Sequence, residues 1–398
     1  VTGPSSRRQF LGYLGAAAAG AAASVPVTAR ALGQPEDACA PSTPIHTLSP
    51  YGVHQRGIAD PTQRFVTLVA LDLQPDTDAD ALGRLMRLWT GDVVALTQGR
   101  PAPGDTAPDL VLANTDLTVT VGWGPGVFDL PRLGPARPQG LVEIPQMRHD
   151  RLEDRWSGGD LLLVVGAHDG TTVEHAVRRM VADSAPFARP RWRQNGFWNG
   201  FGEDGAPATG RNLFGQVDGS GNAAPGTEVF DETVWASEPG WFAGGTNLVV
   251  RRIRMDLDSW DTLTRSEQER AVGRRLSDGA PLSGVTEKDD LDLSATEQGR
   301  LVIAERAHAR LAHPTLNDGA RIFRKGANYA FDDGSGSTES GLVFQSYQAD
   351  IGKQFVPMQQ RLDGADMLNE WTTAIGSAEF AVLPGFSRDG WLGETLLG

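Results

Sequence analysis

From Arg64 to Leu73 the chain reads RFVTLVALDL, an almost unbroken run of apolar and β-branched side chains, the composition of a buried strand. The period then changes. In DTDADALGRLMRLWTGDVVAL, Leu82, Leu85, Met86 and Trp89 recur at spacings of three and four, which predicts a helix with one apolar face, and Asp76 or Thr77 stands where its cap belongs. LTVTVGW (Leu117–Trp123) and LLLVVGAH (Leu161–His168) return to the strand pattern, TVEHAVRRMVADS is helical, and RWRQNGFW is a further strand. The order strand, helix, strand, strand, helix, strand is the split βαβ pattern of a ferredoxin-like unit.

The second half runs through the same order. TNLVVRRIRMDL (Thr246–Leu257) predicts a strand, with RRIRM read as one face of it, and TRSEQERAVGRRLSDG a helix opened by a capping box of Thr264 and Glu267. RIFRKGANYAF and GLVFQSYQAD are strands, RLDGADMLNEWTTAI is a helix, and SAEFAVLP closes the set. No residue-level repeat relates the halves, yet their element order does. The predicted fold is α+β, two ferredoxin-like domains with antiparallel sheets and flanking helices, spanning 63–205 and 206–398 after a leader at 32–62.

Composition narrows the function. With a net charge of −14 and no long basic stripe among 398 residues, a nucleic-acid partner is excluded. Cys39 is the single cysteine, so neither an internal disulfide nor a cysteine-rich zinc cluster is available. At the N-terminus, Arg7 and Arg8 precede a mostly alanine stretch that ends in the small-residue site Ala29–Ala31. That arrangement is a twin-arginine export signal over 1–31, which makes the export machinery a partner and the destination secreted or periplasmic. No later stretch approaches the 18 apolar residues of a membrane span. The signal resembles those of a pathway that carries folded cargo, often with a cofactor already inserted.

HExxH, GxSxG and Walker-type motifs are missing from the chain beyond the signal. GQVDGSGN (Gly215–Asn222) sets Asp218 among glycines; by frequency it reads first as a surface turn, and the same residues also allow an acid held close to a bulky ligand. Downstream, ERAHARLAHPTLNDGARIFRKGANYAF holds His308, His313, Arg321, Arg324 and Lys325, each of which local pattern alone would allow as a solvated or satisfied residue.

Taken in order, YGVHQRGI, VGWGPGVFD, GQVDG, AHARLAHP, RIFRKGANY, GLVFQSYQAD, QFVPMQQRL and GSAEFAVLPG resemble the dye-decolorizing peroxidase family, in its twin-arginine-exported A subgroup. The resemblance implies a dimeric α+β barrel type of fold with heme b in the second domain and His308 as axial ligand to the iron. It places Asp218 and Arg324 on the opposite, distal face as the acid-base group and its cationic partner. Leu342 and Phe344 become the apolar pair lining that pocket, and Gly219 part of a loop lying flat on the porphyrin. His313 falls where the family has Asn and receives no ligand role.

The implied function is a peroxidase that uses hydrogen peroxide to oxidise phenolic or dye-like reductants through ferryl intermediates. The alternatives are a deferrochelatase-like iron-handling protein and a non-catalytic heme carrier, and a homo-oligomer is left open. The residue types suit the chemistry. Peroxide must lose its inner proton and gain one on its outer oxygen before its bond breaks, and an arginine offsets the charge that develops. One departure concerns Lys325, which stands where the family carries a second arginine; facing a propionate, it would not reproduce the planar fork. Trp371, in LNEW, stands where the family often has a different aromatic residue. Ten tryptophans with Tyr51, Tyr329 and Tyr347 are the pool from which a surface oxidation site for dyes too large for a pocket would come, most of the tryptophans being core residues and none singled out.

Overall fold

Strand pairing joins the two halves into one structure. The computed structural model describes residues 47–113, 115–202, 206, 208–332, 334, 336 and 338–398; Arg7, Arg8, Ala29–Ala31 and Cys39 lie outside the described residues. In the first half β1 (Phe65–Leu73), β2 (Thr118–Trp123), β3 (Leu161–Ala167) and β4 (Ala188–Phe197) pair antiparallel in the order β4-β1-β3-β2. The second half contributes β5 (Thr246–Met255), a small hairpin of β6 (Thr296–Glu297) with β7 (Arg300–Leu301), then β8 (Phe323–Asp332), β9 (Thr338–Gln348) and β10 (Thr372–Val382). Its main sheet repeats the first as β10-β5-β9-β8. The sheets meet edge to edge, β4 with β8 at Phe197 and Asn328 and β2 with β10 at Trp123 and Ala381, which closes an eight-stranded barrel. This is the predicted α+β architecture of paired ferredoxin-like sheets. No helix among the described residues is long and apolar enough to cross a membrane.

Alternation along each strand divides the side chains between two environments. Leu68, Ala70, Leu162, Val250, Tyr329 and Tyr347 fill the barrel interior. On the outside of the first sheet, the helix Ala79–Thr97 buries Leu82, Leu85, Met86 and Trp89 completely, and the Trp89 indole N–H donates to the Met180 carbonyl at 2.9 Å. Its cap is Asp78, whose carboxylate accepts from the Ala81 amide at 2.7 Å, rather than Asp76 or Thr77. Thr77 is committed elsewhere, its hydroxyl donating to the Phe187 carbonyl at 2.6 Å. The capping box of Thr264 and Glu267 forms as predicted, and Gly273 ends that helix early with φ +87°.

Three expectations need correction. RLDGADMLNEWTTAI is not one helix: the helix is Val356–Ala365, Asp366 caps a short 3-10 turn over Met367–Glu370, and Thr372 already pairs with Met255 as the start of β10. Nor does RRIRM present a single face. Arg251 and Arg252 are both buried, Arg251 outside the barrel against Asp150, and Arg252 inside it, over the Trp156 ring at 3.8 Å with Glu339 at 2.7 Å. Lys325, finally, points into the barrel, where its ammonium donates to the carbonyls of Gly57 and Asp60 at 2.7 and 2.8 Å. Of the tyrosines named above, Tyr329 and Tyr347 are buried.

Burial pulls the Lys325 pKa down from 10.5 to about 8. The unfolded chain therefore holds that proton more tightly between those values, and folding stability contributed at this site rises with pH across the window. Urea titrations of wild type and Lys325→Met at pH 7 and pH 10.5 should show wild type gaining roughly 3 kcal/mol on the variant over that interval. An unchanged difference would contradict a buried, charge-strained lysine.

Candidate active site

The outer face of β5, β8 and β9 is covered by loops and short helices instead of a long helix, and a cavity of about 250 Å³ remains between them. The second cavity, beside Lys325, measures about 20 Å³, too small for anything beyond water. Leu342 and Phe344, two apart on β9, share the face that floors the large cavity, with Ile253 and Arg324 from the neighbouring strands. Gly326 makes room for Leu342: a Cβ there would stand 3.1 Å from its Cδ1.

One wall is the loop of GQVDGSGN (Gly215–Asn222). Its backbone doubles back, with the Asp218 amide donating to the Gly210 carbonyl at 2.9 Å, and Gly219 takes φ +123°, a conformation that side chains disfavour. Asn212 donates to one Asp218 oxygen at 3.3 Å, and the Arg324 guanidinium lies 3.8 Å from the other. Asp218 and Arg324 are 14% and 20% exposed, so their attraction is only partly screened. Asn222 clamps the loop to β8: its amide donates to the Arg324 carbonyl at 2.7 Å while its oxygen accepts from the Arg324 amide at 3.2 Å. Arg274 adds a further cation to the lining; burial and the nearby Arg324 charge hold its pKa below the usual value.

A different wall carries His308, at the start of the helical turn His308–Leu311. Its Nδ1 lies 2.5 Å from Oδ2 of Asp366, which is 4% exposed and whose other oxygen accepts from the Leu368 amide. With Nδ1 so committed, Nε2 is the ring nitrogen left for a ligand. His313 lines the cavity too, but both its nitrogens are used, Nε2 with Asp290 at 2.9 Å and Nδ1 accepting from the Thr315 amide at 3.3 Å. Among the described residues no group of three or more His, Cys, Asp or Glu gathers into a metal site, so His308 stands as a single protein donor.

These features suit a flat group carrying its own metal. A Cβ built on Gly221, in the cavity wall, meets no atom within 4 Å, leaving a face of bare backbone. All six residues anticipated at the site, Asp218, Gly219, His308, Arg324, Leu342 and Phe344, belong to this region, five of them in the lining and Gly219 next to Asp218. Asp366, Asn222 and Arg274 were not anticipated. Asn222 closes the quoted motif, a signal that was there to use; Asp366 is 58 residues from His308, and nothing local marks it.

Family models described as Dyp-type peroxidase, N-terminal and C-terminal, match residues 55–198 and 209–387. The chain belongs to the Dyp-type peroxidase family and is a peroxide-dependent heme peroxidase. It is 38% identical to a dye-decolorizing peroxidase of Thermobifida fusca over 99% of this chain and 97% of that one. With the Deferrochelatase of Escherichia coli K12 it shares 33% identity over 98% and 97% of the respective chains. Among solved structures, the DyP-type peroxidase from Cellulomonas bogoriensis superposes with a TM-score of 0.84 at 43% identity, covering 89% of this chain and 98% of that one.

If Asn222 clamps the Asp218 loop to β8, Asn222→Ala removes two hydrogen bonds and frees the loop locally, at a cost of about 1–3 kcal/mol. Hydrogen exchange should quicken for amides between Gly210 and Asn222 and stay unchanged in β1 and β3. Uniform quickening, or none, would show that the clamp is not what holds the loop.

Proposed function

We propose that the cavity holds heme b with His308 as axial ligand, and that Asp218 and Arg324 carry the peroxide chemistry. One observation carries this reading: an imidazole fixed by a buried carboxylate and an acid paired with an arginine line different walls of one cavity. Heme bound there supplies the iron at which peroxide is reduced and stores the oxidising equivalents.

His308 binds through Nε2, and the Asp366 carboxylate on Nδ1 fixes the tautomer and strengthens electron donation from the ring. Asp218 accepts the proton from the inner oxygen of peroxide and returns one to the outer oxygen as the bond between them breaks. Arg324, 3.8 Å from Asp218, offsets the negative charge building on the departing oxygen. Leu342 and Phe344 hold the surroundings apolar, where both interactions exceed their strength in water. Gly219 and Gly221 let the loop backbone lie against the porphyrin.

The reductants are phenolic or dye-like compounds. A carrier has no use for an acid and a cation placed together over its ligand, which weighs against that alternative. Iron release from heme, the activity that the Escherichia coli relative's name denotes, would use the same cavity and is separated by its product, free iron in place of oxidised reductant. Export by the twin-arginine pathway is part of the same proposal, supported by Arg7 and Arg8 ahead of the alanine-rich stretch.

Stopped-flow mixing of the heme-loaded protein with hydrogen peroxide tests the assignment. Asp218→Ala should slow peroxide reduction about 10²–10⁴-fold, and Arg324→Ala about 10²–10³-fold, with heme content unchanged. The double variant should fall short of the product of the two effects, because the pair acts as a unit. Reaction of either single variant at the wild-type rate would remove that residue from the mechanism.

A further inference from the structure

A second histidine on this cavity is held as His308 is held. His149 comes from the first half of the chain, in the long connection between β2 and β3, and its ring lines the cavity at 37% exposure. Its Nδ1 lies 2.9 Å from Oδ1 of Asp363, on the helix Val356–Ala365, three residues before Asp366. Burial opposes ionisation of Asp363, but the amides of Arg148 and His149, both donating at 2.9 Å, and the imidazole itself hold its pKa below the ordinary value. An ionised carboxylate can only accept, so Nδ1 is the nitrogen that donates to Asp363, and Nε2 is the ring nitrogen left to face the cavity. That Nε2 has no hydrogen-bond partner among the described residues.

The loop is fixed from its other side as well. Asp150 accepts from the Met147 amide at 3.0 Å and is paired with Arg251, each 3% exposed, so the residue beside His149 is anchored in the protein interior. Of the three histidines on the cavity, His308 is given to iron in the reading above, and His313 has both nitrogens occupied at 12% exposure. His149 alone combines a free acceptor nitrogen, a fixed tautomer and access from solvent. The peroxide step assigned above to Asp218 and Arg324 does not use it.

Oxidation of a phenol requires such a group. Removing one electron from a neutral phenol leaves a strongly acidic radical cation, so the hydroxyl proton must leave with the electron or just after it. We propose that His149 is the proton acceptor for phenolic reductants, bound at the cavity mouth with their hydroxyl on Nε2. The inference rests on the peroxidase reading of the cavity. In the step, the phenolic O–H bond breaks, its proton passes to Nε2, and one electron passes to the oxidised centre that peroxide has generated. The phenoxyl radical leaves, and the imidazolium, stabilised by Asp363, returns its proton to water. The cavity that His149 lines also carries apolar side chains, Ile253, Met255 and Met358 among them. Asp363 is a positioning residue, setting which nitrogen of His149 is bare.

The test compares guaiacol, which gives up a proton with its electron, with ferrocyanide, which gives an electron alone, in the heme-loaded protein. His149→Gln keeps a polar side chain but cannot take a proton. It should lower kcat/KM for guaiacol about tenfold or more and leave ferrocyanide within about twofold of wild type. Asp363→Asn, which no longer fixes the tautomer, should lower guaiacol turnover in the same direction with His149 still in place. In heavy water, wild type should slow with guaiacol and not with ferrocyanide. Independently of turnover, guaiacol titrated into the resting protein should shift the His149 ring nitrogen resonances, and binding to His149→Gln should weaken about threefold or more. Equal oxidation of guaiacol by wild type and His149→Gln, or no shift of the His149 resonances, would overturn the proposal. Loss of both donors together with loss of heme would overturn it too, making His149 a heme-holding residue, whereas failure of wild type to react with peroxide would strike the peroxidase reading instead.

Discussion

A strand can offer only alternate side chains to one face, and β8 places its most consequential boundary between Arg324 and Lys325. The even position meets Asp218 in the cavity; the odd one is buried on the carbonyls of Gly57 and Asp60 inside the barrel. The same alternation sends Arg251 outward to Asp150 and Arg252 inward to an aromatic cage, and it puts Leu342 and Phe344 beside each other on the cavity floor. A register slip of one residue would exchange every member of this set. The closed barrel, with no free edge at which to slip, is therefore what keeps the chemistry on one side and the structural cations on the other.

Within that frame, carboxylates do the positioning. Asp366 fixes His308, Asp363 fixes His149, and Asp150 fixes Arg251, each with at least one oxygen held by backbone amides so that the carboxylate is itself immobile. Burying a carboxylate is costly unless its lone pairs are met, and here they are met by amides, by two imidazoles and by the Arg251 guanidinium. Asp363 and Asp366 lie three residues apart at the end of one helix, so a single element orients imidazoles brought from two distant parts of the chain.

The readable parts of the sequence were those governed by one period. The helix over Leu82–Trp89 and the strands β1, β3, β5, β8 and β9 each follow a local pattern that tertiary contacts reinforce. RLDGADMLNEWTTAI was misread because its first half does suit a helix; the switch to strand at Thr372 is decided by pairing with Met255, more than a hundred residues away. Asp218 was legible only as a turn or an acid until the family resemblance chose between them, and the partner of His308 was not legible at all. Sequence spacing carries no sign of a contact that exists only once a helix end and a remote loop are packed together.

The central claim is that iron sits against His308 in the cavity of the second sheet. The absorption spectrum of the protein titrated with heme, for wild type and His308→Gly with and without added imidazole, tests it most directly. Wild type should take up one heme with a histidine-ligated spectrum, His308→Gly should bind it more weakly with that signature lost, and imidazole diffusing into the vacated space should restore it. A His308→Gly spectrum identical to wild type without imidazole would mean that the iron is held elsewhere, and the placement of Asp218 and Arg324 on the peroxide side would fall with it.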